Sequence, residues 1–337
     1  MPLTKRCFAI AFLTAVLTFS SGAAAQNKKD AREKRTDAAD LPAALWREPA
    51  DIAARNLFYG PGGERGQPQG IFTFDGEDTS GSNPKFYVKD GRGQRWTVKL
   101  GAEARPETAA TRLLWAVGYF TDADYYLPEL RVENMKRLSR GQEFVSPDGT
   151  VRGARMKLHP KGQKDAGTWS WFDNPFAGTR ELNGLRVLMA LVNNWDLKED
   201  NNKIYDEHGA ERRYVVSDLG ASFGKTGSVF SRSKDDPASY AKSKFIERIT
   251  PEFVDFHLHS RPPFLLHADV GYYRERSRMD DIVKRIPRAD ARWLGGLLGQ
   301  LSEEQINDAF RAAGYGPEEV ESFTQELRQR IAELSNL

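Results

Sequence analysis

Thiols are nearly missing from this chain. Of its 337 residues only Cys7 is a cysteine, and it stands in an N-terminal stretch that reads as a removable leader. Without it the chain has no disulfide, no zinc–thiolate site and no cysteine nucleophile. A surplus of one charge is missing as well. Taking Lys5 and Arg6 of the leader from the 49 basic residues leaves 47, against 47 acidic ones. The remaining chain is neutral and lacks the basic excess of a general nucleic-acid binder. H-E-x-x-H does not occur, so a zinc-protease reading has no footing. Hydrophobic residues at 39% and charged residues at 28% exclude a disordered, collagen-like or multi-span chain.

What is present begins with Lys5 and Arg6, an apolar run over residues 7–19, and small residues ending Gly22-Ala23-Ala24-Ala25-Gln26. Positive, apolar and small regions in that order predict a secretory signal peptide over residues 1–25, cut before Gln26. The alternative is a single membrane anchor, for which a run of 13 residues is short. No stable membrane span is expected once the leader is gone. Either way the chain is expected to be exported, to a periplasm, the outside or a secretory lumen. Residues 26–45 are charged and alanine-rich without an apolar period, a flexible linker. The Gly- and Pro-rich stretch 56–70 is loop chemistry, either turns or a phosphate cradle.

Strands are predicted at 71–74, 85–89 and 95–100, the last two joined by Asp90-Gly91 as a hairpin, and three antiparallel strands are the economical arrangement. Pro106 and Glu107 open a helix that ends near Gly118. Further β segments fall at 129–135 and 153–158. Leu182, Leu185, Leu188, Met189 and Val192 have helical spacing over 180–193. A polar loop over 194–202 follows, then short strands at 203–205 and 213–216, and a long loop from 221 to 243. The rest reads as helical, with a capping box at Ser302–Gln305 and a helix restarted at Gly316-Pro317.

Two stretches place acids and amides at strand ends. One is Asp196-Leu197-Lys198-Glu199-Asp200-Asn201; the other is Asp218-Leu219-Gly220. The first resembles the D-L-K-x-x-N catalytic loop of the protein-kinase-like superfamily, and the second its D-F-G metal motif with leucine for phenylalanine. Trp96-Thr97-Val98-Lys99 is similar to that family's lysine strand, with Glu107 early on the next helix. The order of these elements along the chain is the family's order. Asn194-Trp195-Asp196 stands where His-Arg-Asp is usual, and neither the glycine-rich G-x-G-x-x-G nor A-P-E appears, which resembles the lipid-kinase-like and secretory-pathway branches.

The resemblance implies an α+β, two-lobed fold: a small antiparallel-sheet lobe with one helix over 46–160 and a mainly helical lobe over 161–337. It implies phosphoryl transfer from ATP or another nucleotide, with Mg²⁺ or Mn²⁺, to a hydroxyl on a protein or small molecule. Asp196 would orient the acceptor hydroxyl, and Lys198 would touch the transferring group or the substrate. Asn201 and Asp218 would hold the metal. Lys99 would hold phosphates with Glu107 fixing it; the loop 75–84, with Gly81 and Ser82, either approaches the phosphates through its N–H groups and hydroxyls or is a plain polar turn. Glu103 competes with Glu107, and Asn202 with Asn201. Two rival readings are a pseudokinase-like binding protein without turnover and a transferase using another donor. His257, His259 and His267 lack a carboxylate or cysteine frame and read as structural. Trp169, Trp171 and Trp195 read as core or lobe-contact residues.

Overall fold

The computed structural model describes residues 41–227, 232–258 and 270–337. The expected signal peptide 1–25 with Cys7, most of the linker 26–45, His259 and His267 lie outside them. Among the described residues no helix is long and apolar enough to cross a membrane.

The chain is α+β. After a short strand β1 (Ala43–Ala44) it forms β2 (Phe72–Asp78), β3 (Lys85–Asp90), β4 (Arg95–Lys99), helix α1 (Ala104–Ala116), β5 (Asp124–Glu133) and β6 (Thr150–Leu158). Three antiparallel strands were the economical expectation; the strands instead close into a five-stranded barrel in the order β2-β3-β4-β6-β5. Closure comes from a parallel contact that pairs Phe72 with Val132 and Thr73 with Glu133. Closing the sheet removes its free edges. It also encloses Phe72, Phe86, Val88, Trp96, Val98 and Met156, all buried in one apolar cluster.

A second sheet has the order β1-β9-β8-β7, with β7 (Gln163–Gly167), β8 (Asn202–Glu207) and β9 (Glu211–Val216). Between β7 and β8 runs α2 (Arg180–Leu191), whose first turn is capped by the Thr179 side chain accepting from the Leu182 amide. The stretch 221–243, expected as loop throughout, contains a short helix α3 (Pro237–Ala241) capped by Asp236. The region expected to be wholly helical carries a small sheet of β10 (Ile246–Ile249), β11 (Phe253–Phe256) and β12 (Ile286–Pro287) around α4 (Val270–Asp281). Helices α5 (Arg288–Leu298), α6 (Glu303–Arg311) and α7 (Pro317–Ser335) follow. The capping box joins Ser302 and Gln305 as the spacing predicts. Residues of α2 and α5–α7 share a second apolar cluster with Trp169 and Trp171.

One cation crosses that second cluster. Arg330 on α7 has no exposed surface. It donates to Leu191 O (3.1 Å), Asn193 Oδ1 (3.0 Å), Tyr240 O (2.9 Å) and Glu326 Oε1 (2.7 Å). A guanidinium suits this role because its rigid fork satisfies several carbonyls at once. Arg330→Met is expected to cost about 3 to 5 kcal/mol, since it strands the acceptors and Glu326 together. Urea unfolding of the two proteins measures it, and a loss below about 1 kcal/mol would contradict the account.

Candidate functional site

Strand alternation builds one wall of the site. Side chains of a strand point alternately to its two faces. In β4 and β6 the residues Trp96, Val98, Ala154 and Met156 fill the barrel, which turns Thr97, Lys99, Arg155 and Lys157 the other way. Strand pairing then sets two rungs across three strands. Lys85, Lys99 and Arg155 face one another in register, and so do Tyr87, Thr97 and Lys157. All six line a cleft of about 690 Å³ that also contains Asp196, Lys198, Asn201 and Asp218. The structure thus brings Lys99, Glu107, Gly81, Ser82, Asp196, Lys198, Asn201 and Asp218 to one cavity.

Lys99 is buried and answers to three carboxylates: Glu103 at 2.7 Å, Glu107 at 2.8 Å and Asp218 at 3.1 Å. Burial pulls its pKa down, but Glu107, Asp218 and Glu103 together hold it above the ordinary lysine value, so the ammonium stays charged. Burial pushes the Asp218 carboxyl up, and the Lys99 ammonium outweighs it and holds the group below the usual range. The competition between Glu103 and Glu107 has no single winner. Both touch Lys99, Glu107 also holds Arg155, and Glu103 also holds Lys234 and Asn83. Glycine follows at position 220 because a Cβ there would sit 2.5 Å from the Cβ of Glu103.

The opposite wall is the loop after α2. The helix gives way at Asn193, which adopts φ 54°, a left-handed conformation that asparagine tolerates. Its amide donates to Gly224 O at 2.8 Å and its carbonyl oxygen takes Arg330, so the α7 clamp sets the entry to the loop. Asn194 accepts from the Asp196 amide (3.2 Å) and donates to Asp218 O (3.4 Å), tying the two motifs together. Asn201 donates its side-chain amide to Asp196 O (2.7 Å) and Oδ2 (3.4 Å). Lys198 lies 3.2 Å from Asp196 Oδ1. Asn202 points the other way: it is fully buried and donates to Trp169 O at 3.0 Å, a packing role. Trp169 and Trp171 are buried, and Trp195 donates to Ser233 O with Arg232 stacked on its ring.

The oxygens left over fit a hard cation. Lys99 and the Gly220 amide both meet Asp218 Oδ1, and Oδ2 has no hydrogen-bond partner among the described residues. Asn201 commits its nitrogen to Asp196 and keeps its carbonyl oxygen. A carboxylate and an amide oxygen suit magnesium, which takes oxygen ligands and retains water and phosphate in its other positions.

The β2–β3 loop is shorter than expected. β2 runs on to Asp78, so the turn is 79–84. Arg140 pins it by donating to Gly81 O (2.6 Å) and to the carbonyls of Asp78 and Ser80 (both 3.4 Å). Gly81 adopts φ +66°, which glycine takes without strain. Beside the cleft a second hollow of about 340 Å³ shares Lys198 and Asp200 with it and is walled by Trp171, Phe172, Arg274 and Met279.

Arg155, Lys157 and His159 belong to the site without having been singled out by any motif. Their one sequence signal is the alternation with Ala154, Met156 and Leu158. Lys157 donates to Ser217 Oγ and lies 3.2 Å from Asp122. His159 Nε2 lies 2.6 Å from Thr97 Oγ1. Burial, with Lys157 and Arg95 nearby, pulls its pKa from 6.5 down to about 4. The folded chain therefore holds His159 neutral where the unfolded chain would protonate it. The stability this contributes is present above pH 6.5 and is lost as pH falls toward 4. Denaturant midpoints measured across that window should drop on acidification, and His159→Gln should flatten the drop; an equal drop in both proteins would refute the assignment.

The sequence matches no known protein family and no curated protein. Among solved structures the fold is similar to a proinflammatory kinase of Helicobacter pylori, CtkA, at 10% identity and a TM-score of 0.44, over 80% of this chain and 98% of that one. It is also similar to the Golgi casein kinase, at 9% identity and a TM-score of 0.37, over 99% of this chain and 94% of that one. Both likenesses are too loose to bear on chemistry, which rests on the side chains described above.

Proposed function

We propose that this chain is an exported kinase-like phosphotransferase, in which the barrel and the helical portion act as two lobes. It moves a phosphoryl group from a nucleoside triphosphate to a hydroxyl acceptor. The observation that carries the reading is one cleft in which Lys99, fixed by Glu107, faces Asp218 and the Asp196–Asn201 pair. Export rests on the leader over residues 1–25.

Phosphoryl transfer asks mainly for positioning and for neutralising oxygen charge. Lys99 and its carboxylates supply a charged, preorganised contact for the phosphates, and the loop 79–84 closes over them with Gly81 and Ser82. Asp218 and Asn201 would hold magnesium, whose chemistry there is to neutralise charge on the phosphate oxygens. The acceptor enters from the hollow beside Lys198. Asp196 accepts the hydroxyl proton as the acceptor oxygen bonds to the terminal phosphorus, the bridging P–O bond breaks, and the nucleoside diphosphate leaves. Lys198, beside Asp196, offsets charge on the transferring group.

A second reading has a specific observation in its favour. Lys99 is already met by three carboxylates, a self-sufficient arrangement that a pseudokinase-like binding protein could retain without turnover. Thermal-shift and transfer assays with ATP and GTP, each with Mg²⁺ and Mn²⁺, separate the two. Metal-dependent stabilisation together with labelled protein or released phosphate supports the transferase. Stabilisation without either product supports the binding protein, and neither effect overturns both.

A further inference from the structure

The walls of the cleft are unusually poor in apolar surface. Pockets for nucleobases are lined mostly by hydrophobic and aromatic side chains, with a few polar groups for orientation. Here, among the described residues that line the cleft, none is aliphatic. The two rings, Tyr87 and His159, pack against each other at 6.2 Å. Tyr87 is further covered by the Arg95 guanidinium 3.8 Å from its centroid, and its hydroxyl donates to Asp78. His159 is held by Thr97. No pair of apolar faces remains to sandwich a base.

Cations take the place of apolar walls. Lys85, Lys99 and Arg155 stand directly opposite one another on three adjacent strands, a juxtaposition of like charges that is unfavourable without counter-charge. Lys99 has its carboxylates, and Lys85 lies 3.5 Å from Asp78. Arg155 is the incomplete member. It is 4% exposed, and one terminal nitrogen meets Glu107. Its Nε and Nη1 are buried with no hydrogen-bond partner. Buried donors of a charged group without acceptors are costly, and a planar guanidinium matches phosphate oxygens well.

We infer that the cleft recognises its donor through the phosphates alone, with Arg155 as a second phosphate-binding cation beside Lys99, so that inorganic tripolyphosphate binds about as well as a nucleoside triphosphate. This rests on the phosphotransferase reading and names its donor class. The base contributes little because nothing on the walls stacks against it.

The test is calorimetric titration of the full chain with ATP, GTP and inorganic tripolyphosphate, each with magnesium. Dissociation constants for all three within about tenfold of one another are the expected result. A nucleotide that binds more than about tenfold tighter than tripolyphosphate overturns the inference and leaves the phosphotransferase reading standing. If none of the three binds, that reading falls and this one with it. Arg155→Gln should weaken all three by a common factor of at least about fivefold, with Arg155→Lys recovering part of the loss. A folded Arg155→Gln protein with unchanged affinities removes Arg155 from the site, and if the variant does not fold, the wild-type comparison still decides the main claim.

Discussion

Asp196→Asn is expected to leave nucleotide binding in place and to lower phosphoryl transfer by about 10² to 10⁴, the range for removing a positioned acid or base. The substitution keeps the shape of a half-buried side chain and its contact with Asn201, and it removes the charge that faces Lys198 at 3.2 Å. Asp196 does not touch Lys99 or its carboxylates, so the phosphate wall is undisturbed. Titration with ATP and magnesium should therefore give wild-type affinity, while transfer to an acceptor or to the chain itself collapses. Equal turnover in the two proteins would remove the proton-accepting role from Asp196. Turnover absent from both, with binding intact, would favour the protein that keeps its cleft without using it.

Much of the architecture was readable from local pattern. The strands over 85–89 and 95–100, the helix over 180–193 and the capped helices after Ser302 all follow from period, turn residues and caps. They appear within a few residues of their expected limits. Closure of the barrel was not readable, because Phe72 and Val132 are far apart in sequence and nothing in either strand names its partner. The three-stranded sheet of β10–β12 was missed for a different reason. Its strands are two to four residues long, too short for a period to register.

The site divides along the same line. Lys99, Asp196, Asn201 and Asp218 carried motif spacing, and the fold places them on one cleft. Glu103 and Glu107 lie four apart at the start of α1, hence on the same helical face; spacing favoured Glu107 as the partner of Lys99, whereas both residues reach it. Asn201 and Asn202 are neighbours with opposite fates, because position 202 opens β8 and turns its side chain into the core. Arg155 and Lys157 alternate with Ala154 and Met156, which told that they share a face. Only the barrel's closure decides that this face is the cleft.

Asp218→Asn should abolish most of the magnesium-dependent part of ATP binding, a loss of about 2 to 4 kcal/mol by analogy with removing one partner of a buried charge contact, or a factor of about 30 to 900. The fold should survive. Lys99 keeps Glu103 at 2.7 Å and Glu107 at 2.8 Å, so no ammonium is stranded, and Asp218 itself is 38% exposed at the side chain. Without magnesium the sign should reverse. The carboxylate repels phosphate at short range, so its loss leaves metal-free ATP affinity unchanged or higher. Structural damage would weaken binding under both conditions, whereas loss of a metal ligand weakens it under one. Titrations of wild type and variant, with magnesium and with a chelator, separate these outcomes. A folded variant that retains the full magnesium-dependent gain would show that Asp218 does not hold the metal.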